Sequence, residues 1–146
     1  MLTDILTSVD DGLVRLTSKV ATTTLSGTTG NDILNSPGSV QALVAGFQGN
    51  DTITLNALTD EANGGLGDDQ ITIGTSGVAN NTISAGAGSD TLVVTTGNTS
   101  LGGVVNLDGG NDFFSNTGAV QAVGLSLGGN QGSDTIGFGA GTLLNT

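Results

Sequence analysis

The 146-residue chain has no Cys, His, Trp or Tyr, and its only cations are Arg15 and Lys19. Each absence excludes a class of chemistry. Without Cys there is no disulfide staple, and without Cys or His there is no zinc or iron–sulfur site. Without His there is no ordinary catalytic triad and no general base poised near neutral pH. Two cations cannot make the basic footprint that holds nucleic acid. The expectation is therefore a protein that is not an enzyme and does not bind nucleic acid. No apolar run approaches the roughly 18 residues of a membrane span. Met1–Val20 lacks a basic n-region and a continuous apolar stretch, so it does not read as a signal peptide.

What the chain does have is Asp and Gly. There are 13 acids, 12 of them Asp and one Glu61, and the net charge is −11. Gly accounts for 26 residues. Strong acidity with few aromatics usually marks disorder. Here 36% of residues are hydrophobic and fall in short β-type clusters, and the length fits one domain. An excess of Asp over Glu beside so much Gly points to turns that carry oxygen ligands.

Six short strings share one phase: Gly30-Asn31-Asp32, Gly49-Asn50-Asp51, Gly67-Asp68-Asp69, Gly88-Ser89-Asp90, Gly110-Asn111-Asp112 and Gly132-Ser133-Asp134. The Asp-to-Asp spacings are 19, 18, 21, 22 and 22. Two residues after each Asp stand Leu34, Ile53, Ile71, Leu92, Phe114 and Ile136. Seven before each stand Leu25, Val44, Ala62, Ile83, Val105 and Leu127. Two apolar columns thus frame a loop between two short strands. A repeat of about 20 residues suits one coil of a β-solenoid. Thr52–Leu55 and Ile71–Ile73 alternate apolar and polar residues, with one face inward. The opposite turns, Thr75–Asn80 and Thr96–Ser100, carry no acid, so the repeat acids gather on one edge.

Residues 1–24 stand apart as an N-terminal capping or docking segment ahead of a solenoid over 25–146. Leu2, Ile5, Leu6, Val9, Leu13, Leu16 and Val20 trace a helical stripe, weakened by Gly12 and the Thr and Ser content. A strand at Val14–Ala21, with Asp11 and Leu13 as a degenerate extra coil, fits equally well.

Stacked coils lie about 4.8 Å apart, so the six Asp residues form a charged column. At that spacing and an effective dielectric of about 20, neighbouring carboxylates repel by roughly 3.5 kcal/mol. Five adjacent pairs reach on the order of 17 kcal/mol, which rivals the 5–15 kcal/mol stability of a whole domain. The column calls for a cation that takes many oxygens. Gly two before each Asp can turn its carbonyl toward such an ion. Ca²⁺ accepts about 6–8 oxygens with flexible geometry, whereas Mg²⁺ demands a stricter octahedron.

Gly64-Gly65-Leu66-Gly67-Asp68-Asp69-Gln70-Ile71-Thr72 fits G-G-x-G-x-D-x-U-x at every position. The string from Ala85 misses only the first Gly, and those from Gly27, Gly46 and Gly129 miss the second. Leu107-Asp108-Gly109-Gly110-Asn111-Asp112 lacks both. Over about Leu25–Phe138 the chain resembles the RTX (repeats-in-toxin) calcium-binding proteins. The resemblance implies an all-β fold, a right-handed parallel β-roll of about six coils. It implies Ca²⁺ held between successive loops, about five ions in five gaps. Asp32, Asp51, Asp69, Asp90, Asp112 and Asp134 would be carboxylate ligands. Gly30, Gly49, Gly67, Gly88, Gly110 and Gly132 would supply backbone oxygens, with Asp68 and Asp108 as extras. One loop per coil implies a single ion row, where many RTX rolls have two. The family's usual route, type I secretion without a cleaved N-terminal signal, agrees with Met1–Val20 and implies a secreted or cell-surface protein.

Phe114 is expected in the core and Phe113 outward. Thr52, Thr91 and Thr135 follow the Asp in three coils and resemble the Thr rows of ice-binding solenoids. Three before each Asp, where those solenoids carry Thr, only Thr29 does. After Phe138 no amphipathic cap is written, so an open sheet edge is expected to invite a second copy. The leading expectation is a structural protein that folds on Ca²⁺ and self-associates head to tail into a fibre or surface array. The alternative is a monomeric calcium-dependent binding module for a surface polysaccharide or ice. Five Ca²⁺ would bring −11 to −11 + 10 = −1, removing the repulsion that keeps copies apart.

Overall fold

The computed structural model describes residues 7–10, 13–16, 22–57, 59–74, 77–95, 98–117, 121–139 and 143–145, and no helix occurs among them. β1 (Thr7–Asp10) and β2 (Leu13–Leu16) pair antiparallel as a sheet of their own. The remaining strands belong to a parallel β-solenoid. One wall holds β3 (Thr22–Ser26), β5 (Gln41–Gln48), β7 (Glu61–Leu66), β9 (Gly77–Ala87), β11 (Asn98–Asn106), β13 (Gln121–Gly128) and β15 (Leu143–Asn145). The other holds β4 (Ile33–Asn35), β6 (Thr52–Leu55), β8 (Gln70–Ile73), β10 (Thr91–Val94), β12 (Phe113–Asn116) and β14 (Thr135–Phe138). The six loops span about five turns.

The apolar columns of the sequence are columns in space. Leu34 pairs with Ile53, Ile53 with Ile71, Ile71 with Leu92, Leu92 with Phe114 and Phe114 with Ile136. On the facing wall Leu25, Val44, Ala62, Ile83, Val105 and Leu127 stack in the same way. Period-2 alternation sends both columns inward, where they meet in one core. Phe114 is fully buried, and the Phe138 ring lies tilted against it at 5.6 Å. Phe113 faces out, as expected. Ile136 departs from its column and is 45% exposed. β14 is the last strand of its sheet, so among the described residues no further rung covers that side chain.

Two expectations are corrected. Thr75–Asn80 and Thr96–Ser100 are not wholly turns. β9 begins at Gly77 and β11 at Asn98, and these extensions pair with each other. The extra residues of the longer repeats lengthen the strands, where the neighbouring rung satisfies their backbone groups. Thr75, Ser76, Thr96 and Gly97 lie outside the described residues. At the N-terminus the helical stripe gives way to strands: Val9, Leu13 and Leu16 lie in the hairpin, whose Thr and Val residues favour β structure. The strand reading of Val14–Ala21 agrees with β2 at Val14–Leu16, and residues 17–21 lie outside the described residues. β2 joins neither solenoid wall, so it is not an extra coil. Leu2, Ile5, Leu6 and Val20 lie outside the described residues.

Candidate metal centre

The loop Asp residues sit inside the edge of the solenoid, not on its surface. Asp51, Asp69, Asp90 and Asp112 are each at most 2% exposed, and Asp32 and Asp134 are half-buried. All but Asp32, in the first loop, place Oδ1 under the preceding rung. Asp32 N–H donates to Asp51 Oδ1 at 2.8 Å, Asp51 to Asp69 at 2.7 Å and Asp69 to Asp90 at 2.7 Å. The ladder continues from Asp90 to Asp112 at 2.8 Å and from Asp112 to Asp134 at 3.1 Å. A short acceptor side chain at this phase therefore holds successive loops in register.

The second oxygen has a different fate. Oδ2 of Asp51, Asp69, Asp90 and Asp112 is buried with no hydrogen-bond partner. Its surroundings explain the glycine five before the Asp. A Cβ at Gly46 would lie 2.2 Å from Asp51 Oδ2 and 2.4 Å from the carbonyl oxygen of Gly64. A Cβ at Gly64 would lie 2.3 Å from Asp69 Oδ2 and 2.2 Å from the carbonyl oxygen of Ala85. A carboxylate oxygen and the next rung's carbonyl oxygen thus flank one bare Cα. Two acceptors facing each other with no donor to Oδ2 repel, and an orphaned buried charge is strongly unfavourable. A hard cation supplies what both lack. The arrangement fits Ca²⁺ by donor type, since every group offered is an oxygen.

Burial pushes Asp90 up from 3.8 to about 6, and the Asp69, Asp112 and Asp68 charges push the same way; the Asp69 N–H bond opposes them. Asp69 and Asp112 are raised too, first by burial and then by neighbouring carboxylates. Asp32 Oδ2 has donors of its own, accepting from Thr28 N–H at 2.6 Å and Thr28 Oγ–H at 2.9 Å.

Other expected site residues have further roles. The glycine two before the Asp is fixed by packing: a Cβ at Gly88 would lie 2.1 Å from the carbonyl oxygen of Gly67. Gly49, Gly67, Gly110 and Gly132 share its positive φ and the close approach of the preceding carbonyl, while Gly30, in the first loop, is exposed and has no preceding rung. Residues one before the Asp form a second, exposed ladder running the other way. Asn50 N–H donates to Asn31 Oδ1 at 2.8 Å, Asp68 to Asn50 at 3.1 Å and Ser89 to Asp68 at 2.7 Å. Asp68 belongs to this outer ladder. Asp108 lies four before its loop Asp at φ 68°, accepting from Ser84 Oγ–H and from Asn130 Nδ2 at 3.3 Å.

That same position takes φ 112° at Gly65, 115° at Gly86, 64° at Asn130 and 78° at Phe47. Gly, Asn and Asp tolerate this region, but Phe does not. Phe47 is 54% exposed, so its ring contributes little packing to offset the strain. Phe47→Asn is expected to stabilise the protein by about 1 kcal/mol, seen as a higher Tm; a lower Tm would show the ring makes contacts that outweigh the strain.

Sequence reasoning missed Asp60. It is fully buried at the opposite edge, with Oδ1 accepting from Ala42 N–H at 2.8 Å and Oδ2 from Ser36 Oγ–H at 2.5 Å and Ala57 N–H at 3.0 Å. Asp60 N–H in turn donates to Asn81 Oδ1 at 2.9 Å. Both carboxylate oxygens are satisfied by the protein, so Asp60 is a structural brace. It lies outside the repeat phase, and no motif marks it.

Among the described residues no three acids converge on one point. No family model, curated protein or solved structure matches the chain.

Proposed function

We propose that the solenoid is a calcium-binding structural module, secreted or displayed at a cell surface, that folds when it meets Ca²⁺ and assembles head to tail. The observation that carries this reading is the row of buried, unpartnered Asp Oδ2 atoms, two of them facing a carbonyl oxygen across a bare glycine Cα. Low Ca²⁺ leaves that row repulsive, and high Ca²⁺ neutralises it. Asp51 and Asp69 would hold ions with backbone oxygens of the adjoining rung, and the ion supplies the positive charge that the interior lacks. Export in an unfolded state and folding outside follow from that switch.

Assembly is supported by the sheet edges. β4 ends one side of its wall and β14 the other, and among the described residues neither outer edge is paired. A strand of the same sense continues the parallel ladder at either edge, so one copy's β14 edge fits another's β4 edge, a heterologous contact that need not close. Light scattering and electron microscopy across a Ca²⁺ titration test this. Expected is β signal and growth of filaments or sheets above a threshold, reversed by chelator. A β signal indifferent to chelator would sink the calcium reading; folded monomers at saturating Ca²⁺ would sink assembly alone.

A second reading, a monomeric glycan-binding module, is favoured by a shallow groove of about 230 Å³ on the seven-stranded wall. Its rim carries Thr24, Asn63, Thr82, Ser84 and Asn106 around Leu43. Hydroxyls and amides suit sugar, but the groove has no aromatic platform. Retention of calcium-loaded monomer on a polysaccharide matrix would favour it.

A further inference from the structure

The loops look equivalent in sequence phase, yet the residue five before the Asp divides them. That column reads Gly27, Gly46, Gly64, Ala85, Leu107 and Gly129. Asn63 pairs with Ser84 and Asn106 pairs with Ser84, so Gly64, Ala85 and Leu107 occupy equivalent places on successive rungs. At Gly46 and Gly64 the space beside Cα is where Asp Oδ2 and the next carbonyl oxygen converge. At Ala85 and Leu107 a side chain stands there instead, and both are fully buried in the hydrophobic core. Carbon occupies the place that oxygen ligands would share with an ion.

We propose that the ion row is discontinuous: tight Ca²⁺ sites form at Asp51 and Asp69, while Ala85 and Leu107 close the corresponding places at Asp90 and Asp112. The inference rests on the calcium reading and sharpens it. The two ends of the row are also weaker. Asp32 Oδ2 is already held by Thr28, and Asp134 has Gly129 beside it but no following loop among the described residues. Complete sets, with a bare Cα, an unpartnered buried Oδ2 and a facing carbonyl oxygen, occur at Asp51 and Asp69. The chain therefore takes two ions tightly, where six phased loops imply five. The hydrocarbon at the other rungs serves the core: Leu107 and Ala85 belong to the same buried cluster as Leu101 and Phe114.

The test is a count of Ca²⁺ bound to the full chain, by native mass spectrometry and equilibrium dialysis with Ca²⁺ alone. The parent should hold two ions in the tight class. Ala85→Gly opens the place beside Asp90 and should raise the count to three. Gly64→Ala places a methyl against Asp69 Oδ2 and should lower it to one; if that variant fails to fold, Ala85→Gly decides. Five equivalent ions on the parent, or a count unmoved by Ala85→Gly, would overturn the discontinuity and leave calcium binding intact. No bound Ca²⁺ on any variant would overturn the calcium reading itself.

Discussion

In chelator at neutral pH, the double variant Asp51→Asn, Asp69→Asn is expected to hold its β-solenoid while the parent chain loses it. The two oxygens of each carboxylate do different work. Oδ1 of Asp51 accepts from Asp32 N–H, and Oδ1 of Asp69 from Asp51 N–H. An amide oxygen does the same work, so the ladder survives. Oδ2 of each is orphaned and faces a carbonyl oxygen. An amide nitrogen there turns two facing acceptors into a donor and an acceptor. The substitution also removes charge. Three adjacent pairs among four buried carboxylates at about 4.8 Å repel by on the order of 10 kcal/mol at an effective dielectric of about 20. Neutralising the Asp51 and Asp69 pair leaves only the Asp90–Asp112 contact. That relief is comparable to the roughly 5–15 kcal/mol by which domains are stable. The readout is far-UV circular dichroism and thermal melting, in chelator and at millimolar Ca²⁺. The parent Tm should rise steeply with Ca²⁺ and the variant Tm should barely move. Asp69→Ala serves as the contrast: it removes the ladder acceptor and leaves Asp51 N–H buried and unpaired, at about 1–3 kcal/mol, so it should be unstable with or without Ca²⁺. A double variant less stable in chelator than the parent would refute the account of the orphaned oxygens.

Period and phase made the fold legible. One apolar residue two after each Asp and another seven before it are enough to specify two inward columns, and the parallel pairing places both as read. Phase alone could not reveal how deep the Asp residues lie. A column at a solenoid edge could equally face solvent, and only the register of rung on rung puts Asp51 N–H against Asp69 Oδ1. Nor could the motif separate the two jobs of glycine. The one two before the Asp answers to a backbone carbonyl approaching from the preceding rung, and the one five before to a carboxylate. Asp60 stayed invisible for the opposite reason. Its partners Ser36 and Asn81 are separated from it by 24 and 21 residues, and no repeat links their types. The N-terminal hairpin was ambiguous because Val9, Leu13 and Leu16 satisfy a helical spacing that strand-forming neighbours override.

Without Ca²⁺, acid should stabilise this protein, the reverse of the usual acid denaturation. Asp90 carries the largest share. Its carboxyl is raised from 3.8 to about 6, chiefly by burial. The folded state therefore holds a proton between about pH 4 and 6 that the unfolded chain has released. Stability rises with pH only where the unfolded state binds more protons; here the folded state does, so the slope is negative. The contribution is complete below the unfolded value of 3.8 and is lost as pH climbs through about 6. A displacement of that size is worth about 3 kcal/mol, and Asp69 and Asp112 add in the same direction. Urea unfolding in chelator at pH 4, 5 and 6 should show the midpoint falling at each step, until at pH 7 the parent has no folded baseline left. Asp90→Asn should flatten most of that fall and match the acid-state stability at pH 7, because the amide keeps the Oδ1 acceptor for Asp69 N–H and carries no charge. Added Ca²⁺ should reverse Asp69's share, since proton and ion then compete for one carboxylate. A midpoint that rises from pH 4 to 6 in chelator would mean the buried carboxylates find compensation from solvent or from a change of loop shape, and the charged column would no longer support the proposed role of a cation.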